Sequence, residues 1–208
     1  MKESYLSRDF RETAAQRFPT QAEQLNAAFD ARLNGLLAEN AGAGKEKLYH
    51  LKRQILPGIA AYETLQTVMP KEEALQTVHG YVEQLARRSH KQLAALLRVP
   101  GLYRLVPGVF LKSTRSVFGP AAGFAAKELQ VGNGIWRVDM TKCPYHDICA
   151  EYGCPELCRC FCDSDDITYD GLHPKLVWHR TKTLRRGDDR WNFCMKTVRK
   201  ERSPKNEA

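Results

Sequence analysis

Residues 132–166 read GNGIWRVDMTKCPYHDICAEYGCPELCRCFCDSDD, and within them the period of the chain changes. Trp136, Val138 and Met140 alternate with Arg137 and Asp139, the two-residue repeat of a half-buried strand. The strand stops at Cys143. Pro144 then suits the first position of a helix, where a missing amide proton is no loss. Two short helical segments follow, roughly residues 144–152 and 155–166. Six of the seven cysteines lie in the twenty residues from Cys143 to Cys162, with Asp163, Asp165 and Asp166 immediately behind them.

Towards the C-terminus, residues 175–184 and 190–198 are further strand candidates, joined as a hairpin by Arg186-Gly187-Asp188-Asp189. Towards the N-terminus the period is helical. Leu25, Phe29, Leu33 and Leu36 recur behind Thr20-Gln21-Ala22-Glu23, a capping box in which Thr20 and Glu23 satisfy each other's free amides. The Gly/Ala stretch 40–44 ends that helix. Ile55, Ile59, Tyr62, Leu65 and Met69 mark a second helix. Pro70 opens a third, with Glu72 and Glu73 at its positive end and Leu75, Val78, Val82 and Leu85 on one stripe. Residues 99–123 are apolar and basic, which is compatible with a helix lying on a membrane surface. The prolines and glycines at 100, 101, 107, 108, 119 and 120 favour a broken helix packed on the core.

This order of elements predicts an α+β fold: an N-terminal helical bundle on a small antiparallel sheet, with two short helices between the first strand and a C-terminal hairpin. The expected organisation is a helical region over 1–123 and a cysteine-rich α+β region over 124–200, packed as one unit, with a disordered tail at 201–208.

With 208 residues, 43% of them hydrophobic and 27% charged, the chain can bury one sizeable core. No apolar run is long enough to span a bilayer, and MKESYLSRDFRET lacks the apolar centre of a secretory signal. A cytoplasmic protein with reduced thiols and no membrane partner is therefore expected. With a formal charge of +8, basic residues are spread from Arg87 to Arg202 without a nucleic-acid-binding module, so the expected partner is an anionic small molecule rather than nucleic acid. Nothing in the sequence fixes the oligomeric state.

A crowded set of cysteines can be a metal knuckle, a disulfide framework or a thiol/carboxylate site. An odd count without a signal argues against disulfides. The gaps of five, four, three, one and one residues do not pair ligands as zinc knuckles do, so no metal and no cofactor is assigned. Cys154, Cys158 and Cys162 could share one helical face. Cys143 stands at a strand end and a helix N-cap, where free amides and the helix dipole would lower a thiol pKa. Asp165 and its neighbours sit at a helix C-terminus, which disfavours negative charge, and this suggests base or binding work. Asp188 and Asp189 fall in a turn, where aspartate is ordinary.

Several short motifs resemble the L-2-amino-thiazoline-4-carboxylic acid hydrolase family. They are ILPGIAAYETL at 55–65, Cys143-Pro144-Tyr145, Phe161-Cys162 with Asp165-Asp166, Arg180-Thr181 with Thr183-Leu184, Gly187-Asp188-Asp189, and Asn192-Phe193. The hairpin of family members often reads G-D-D-x-C-D-F, and this chain departs from it with Trp191 and Asn192. The resemblance implies ring opening of a 2-aminothiazoline carboxylate to N-carbamoyl-L-cysteine. In that reading Cys143 or Cys162 attacks or donates, Asp165 activates water or holds the amidinium, and Arg180 pairs the carboxylate. Thr183, Asp166, Asp188 and Asp189 would contribute to binding. A non-enzymatic small-molecule-binding or thiol-sensing module, similar in layout to vinyl-reductase-like and haem nitric-oxide-binding sensors, is the alternative.

Overall fold

Ser4 begins the first helix, its hydroxyl accepting from the Ser7 amide at 3.2 Å. The computed structural model describes residues 3–183 and 188–198. Helix α1, Tyr5–Arg17, buries Leu6, Phe10 and Ala14, and Phe10 stacks at 4.5 Å on Phe29 of α2, Ala22–Glu39. The expected capping box is not used. The turn after α1 closes through the Gln21 amide donating to the Phe18 carbonyl (2.9 Å), which puts Thr20 inside the turn and Gln21 at the cap.

Helix α3, Lys45–His50, continues through a π-helical turn, Leu51–Ile55, into α4, Leu56–Leu65. Buried residues surround α4 on all sides, as befits a helix at the centre of a core. Helix α5, Lys71–Leu96, follows Pro70 with Glu72 and Glu73 in its first turn. The next segment is broken as expected, into a 3-10 turn (Leu102–Leu105), α6 (Val106–Arg115) and a second 3-10 turn (Pro120–Ala122).

The strands are β1 (Ala125–Gly132), β2 (Ile135–Lys142), β3 (Leu176–His179) and β4 (Trp191–Thr197), in one antiparallel sheet of order β1-β2-β4-β3 among the described residues. The fold is α+β. Strand β1 was not expected, because its residues are exposed or half-buried and carry no alternation to read. Backbone pairing and the Asn133-Gly134 turn hold it: both residues have positive φ (51° and 80°), as a tight primed hairpin demands. Strand β3 is shorter than expected. Past His179 the Asn192 side chain replaces the ladder, its Oδ1 accepting from the amides of Thr181 (2.9 Å) and Lys182 (2.6 Å). Leu184, Arg186 and Gly187 of the expected strand and turn, and the tail 201–208, lie outside the described residues.

One sheet face carries Trp136, Val138 and Met140 opposite Met195, Phe193 and Trp191, all buried. Phe110 of α6 covers it, with ring centroids 4.9 Å from Trp136 and 6.0 Å from Trp178. Between β2 and β3 lie α7 (Pro144–Glu151), a 3-10 turn (Pro155–Leu157) and α8 (Cys158–Tyr169). Helix α8 can approach α4 closely because residue 58 is glycine: a Cβ there would stand 2.9 Å from the Phe161 ring.

Candidate active site

Helix α8 presents Cys158 and Cys162 one turn apart, as the i, i+4 spacing requires, with sulfurs at 3.7 Å. Cys154 does not share that face. It precedes the 3-10 turn and interacts with Cys149 instead. All seven cysteines are free thiols, six of them buried and Cys194 half-buried.

The two thiols in the α8 pair are not equivalent. Cys158 donates to Cys162, lowering the Cys162 pKa below the ordinary thiol value, while burial opposes the shift. The neighbouring Asp165 carboxyl raises it; the indole N–H of Trp191 and the charge of Arg180 lower it further. Cys158, as the donor, is pushed up. Cys143 is the N-cap of α7, as expected, but its pKa is not depressed. Burial drives it up to about 12, against a smaller opposing effect of the His146 and Tyr145 amides. Desolvation outweighs the helix dipole here.

Arg180 reaches inward from the end of β3. Its side chain is only 3% exposed, it donates to the Cys162 carbonyl at 2.9 Å, and it lies over the Phe193 ring at 5.6 Å. It pairs tightly with Asp166 and approaches Asp165 at 3.7 Å, beyond hydrogen-bond range. Its Nη1 has no hydrogen-bond partner among the described residues. Asp166 also accepts from the Trp178 indole at 2.8 Å. Asp165, whose side chain is 40% exposed, has its pKa raised to about 6. Loss of surrounding water is the main cause; Arg180 lowers it and Asp166 raises it.

The fold therefore gathers Cys143, Cys162, Asp165, Asp166 and Arg180 around the C-terminal half of α8. Thr183, Asp188 and Asp189 form a separate loop arrangement. Asp188 accepts from the Thr183 amide at 2.8 Å, and Asp189 pairs with Lys182 and Arg190. Sequence reasoning placed Cys158 on one helical face with Cys162 from their i, i+4 spacing, and missed Trp191 as a neighbour of Cys162, for which no local signal exists. Asn192 is the loop clamp described above, and also donates to the Thr181 hydroxyl at 2.7 Å.

A shallow cleft of about 220 Å³, lined by Asp166, Asp170, Trp178, His179 and Arg180, opens beside the carboxylates. A larger concavity, about 550 Å³, lies on the outward face of the sheet around Arg137, Cys194 and Lys196. Its lining includes Phe193 but none of Cys162, Asp165, Trp191 or Arg180, so it does not serve this thiol. Among the described residues no group of three or more His, Cys, Asp or Glu side chains is arranged to hold a metal ion. No helix among them is long and apolar enough to cross a membrane.

A thiol with a lowered pKa, a carboxyl that titrates near neutrality and a buried guanidinium, joined where a helix meets an antiparallel sheet, define a thiol/carboxylate α+β protein. A family model described as L-2-amino-thiazoline-4-carboxylic acid hydrolase matches residues 49–195, and the chain belongs to that family. No curated protein matches the chain.

Proposed function

We propose that the protein opens the ring of a small cyclic amidine carboxylate such as L-2-amino-thiazoline-4-carboxylate, giving N-carbamoyl-L-cysteine. The observation that carries this reading is the gathering of three groups at Cys162: the Cys158 sulfur at 3.7 Å, Arg180 donating to the Cys162 carbonyl at 2.9 Å, and Asp165 at 3.7 Å from that guanidinium. A lowered pKa makes Cys162 a better nucleophile than a thiol whose pKa burial raises. In this scheme Cys162 Sγ attacks the ring carbon between nitrogen and sulfur, and the ring carbon–sulfur bond breaks. The departing sulfur takes a proton from Asp165, which is partly protonated near its pKa of about 6. Asp165, now a carboxylate, then draws a proton from water as the oxygen adds to the thiol-bound carbon. Expulsion of Cys162 and transfer of the remaining hydroxyl proton to the imine nitrogen leave the carbamoyl group, so one water is consumed.

Arg180 Nη1, unpartnered and facing Asp165, is the donor assigned to the substrate carboxylate, for which a planar guanidinium is suited. Asp166 orients that guanidinium. Cys143, held protonated by burial, borders the site as a neutral thiol and makes no bond. Thr183, Asp188 and Asp189 shape the adjoining loop.

The test is to follow free thiol and N-carbamoyl-cysteine on incubation with L-2-amino-thiazoline-4-carboxylate, with and without divalent metal. Expected are turnover by the unmodified protein, its loss in Cys162→Ala and near-full retention in Cys143→Ala. Absence of turnover from folded protein under every condition would overturn the reading. A thiol redox sensor is the second reading, favoured by the 3.7 Å sulfur separation of Cys158 and Cys162. It requires reversible oxidation of that pair without consumption of a substrate.

A further inference from the structure

From Gln84 to Lys127 the chain contains no Asp or Glu and eight Lys and Arg, although the whole chain holds twenty-four acids. The net charge of +8 is thus concentrated in forty-four residues that form the end of α5, the broken segment after it and α6. Most of the large hydrophobic side chains left exposed among the described residues belong to the same stretch. Leu96, Val99, Leu105 and Val109 are each more than half exposed.

They follow one another closely along the chain. Leu96 and Val99 extend the α5 face that carries Arg88, Lys91 and Gln92, at spacings of three and four residues. The chain then turns sharply, Val99 donating to the Leu96 carbonyl and Leu102 to the Val99 carbonyl, both at 3.2 Å. Leu105, Val109 and Lys112 follow on one face of α6. Arg98 and Arg104 are exposed between the two faces. Two other cations of the stretch are neutralised, Arg87 by Glu83 and Arg115 by Glu128. No ion pair is formed by Arg88, Lys91, Arg98, Arg104 or Lys112 among the described residues.

We propose that this face docks peripherally on a bilayer surface carrying anionic headgroups. The aliphatic side chains enter the headgroup–acyl boundary and the five unpaired cations meet lipid phosphates and carboxylates. Charge complementarity selects this occupant. A second copy of the chain would bring like charge onto like charge, and a nucleic acid would find aliphatic residues where stacking aromatics are needed. The broken backbone is compatible with shallow docking, since the segment lies along the protein surface and nothing in it spans.

The test is co-sedimentation of the full chain with phosphatidylcholine vesicles, with and without phosphatidylserine. Binding is expected only to the anionic vesicles, falling between about 0.1 M and about 1 M salt. Leu105→Ser with Val109→Ser should weaken it at least tenfold, and Arg104→Gln with Lys112→Gln roughly twenty-five-fold, at about fivefold per cation. All four positions are exposed, so circular dichroism melting should be unchanged and loss of binding cannot reflect unfolding. Failure to bind anionic vesicles at low salt would overturn the proposal, as would binding that survives the two serines. Retention on a nucleic-acid duplex without retention on vesicles would also overturn it. None of these readouts depends on turnover.

Discussion

Asp165 lies near the end of α8 between Arg180 and Asp166, and the partial loss of water that raises its pKa to about 6 outweighs the pull of the guanidinium. An acid with that pKa holds its proton below pH 6 and loses it above. We therefore expect kcat/KM to fall about tenfold per unit on the alkaline side of pH 6, and Asp165→Asn to remove that limb along with most of the activity. Cys162 gives a second test. Loss of the Cys158 donor removes a hydrogen bond worth about 1 kcal/mol to the thiolate. Cys158→Ala should slow alkylation of Cys162 by iodoacetamide at neutral pH roughly fivefold, read by mass spectrometry of the α8 peptide. An unchanged rate would mean that Trp191 and Arg180 alone set the thiolate. The Cys162 thiol was legible as a candidate from the sequence. Its advantage over Cys143 was not, because burial by distant elements reverses the effect of a helix N-terminus.

Helix α8 packs mainly along α5 and meets α4 where the Phe161 ring abuts Gly58, the residue that leaves room for that ring. Gly58→Ala would gain about 1 kcal/mol of helix propensity, but the new Cβ would stand 2.9 Å from Phe161 Cζ. Phe161 is itself buried and packed at 5.2 Å against Tyr145, so its ring cannot swing clear. Overpacking of this kind costs about 1–3 kcal/mol, and the net expectation is a lower melting temperature with reduced turnover. A rise in melting temperature would show that the helices part freely. The elements themselves were unevenly legible. Helices α2, α4 and α5 follow from apolar stripes, and β2 from alternation. Strand β1 has no inward face, and only Asn133-Gly134 advertised the hairpin that pairs it.

The N-terminal helices and the cysteine-rich half are tied by His50, which is buried with Nε2 at 2.8 Å from the Val117 carbonyl and Nδ1 at 3.1 Å from the Tyr145 hydroxyl. Burial lowers its pKa below the ordinary imidazole value. The unfolded chain then binds a proton more readily than the native one, so stability is full above the ordinary value and declines as pH falls through it. His50→Leu should cost about 1–3 kcal/mol by leaving the carbonyl unpaired, and should flatten this decline. Thermal melts at pH 5.5 and pH 7.5, at about one unit either side of the ordinary value, provide the measurement. The buried core runs without a break from Leu6 to Met195, so we expect one cooperative transition rather than separate melting of residues 1–123 and 124–200. Two transitions would count against a single unit.

Local periodicity and junction chemistry determined much of this protein from sequence alone: helical stripes, the strand that ends at Cys143, the helix that Pro144 begins, the α+β class and the cysteine–aspartate cluster. These features depend on neighbours a few residues apart. Only the tertiary structure decided which thiol has its pKa lowered, where Arg180 points and that the Trp191 indole comes close enough to Cys162 to favour its charged form. A pKa is set by everything packed around the group, and the indole and guanidinium come from strands 18 and 29 residues beyond Cys162 in the chain.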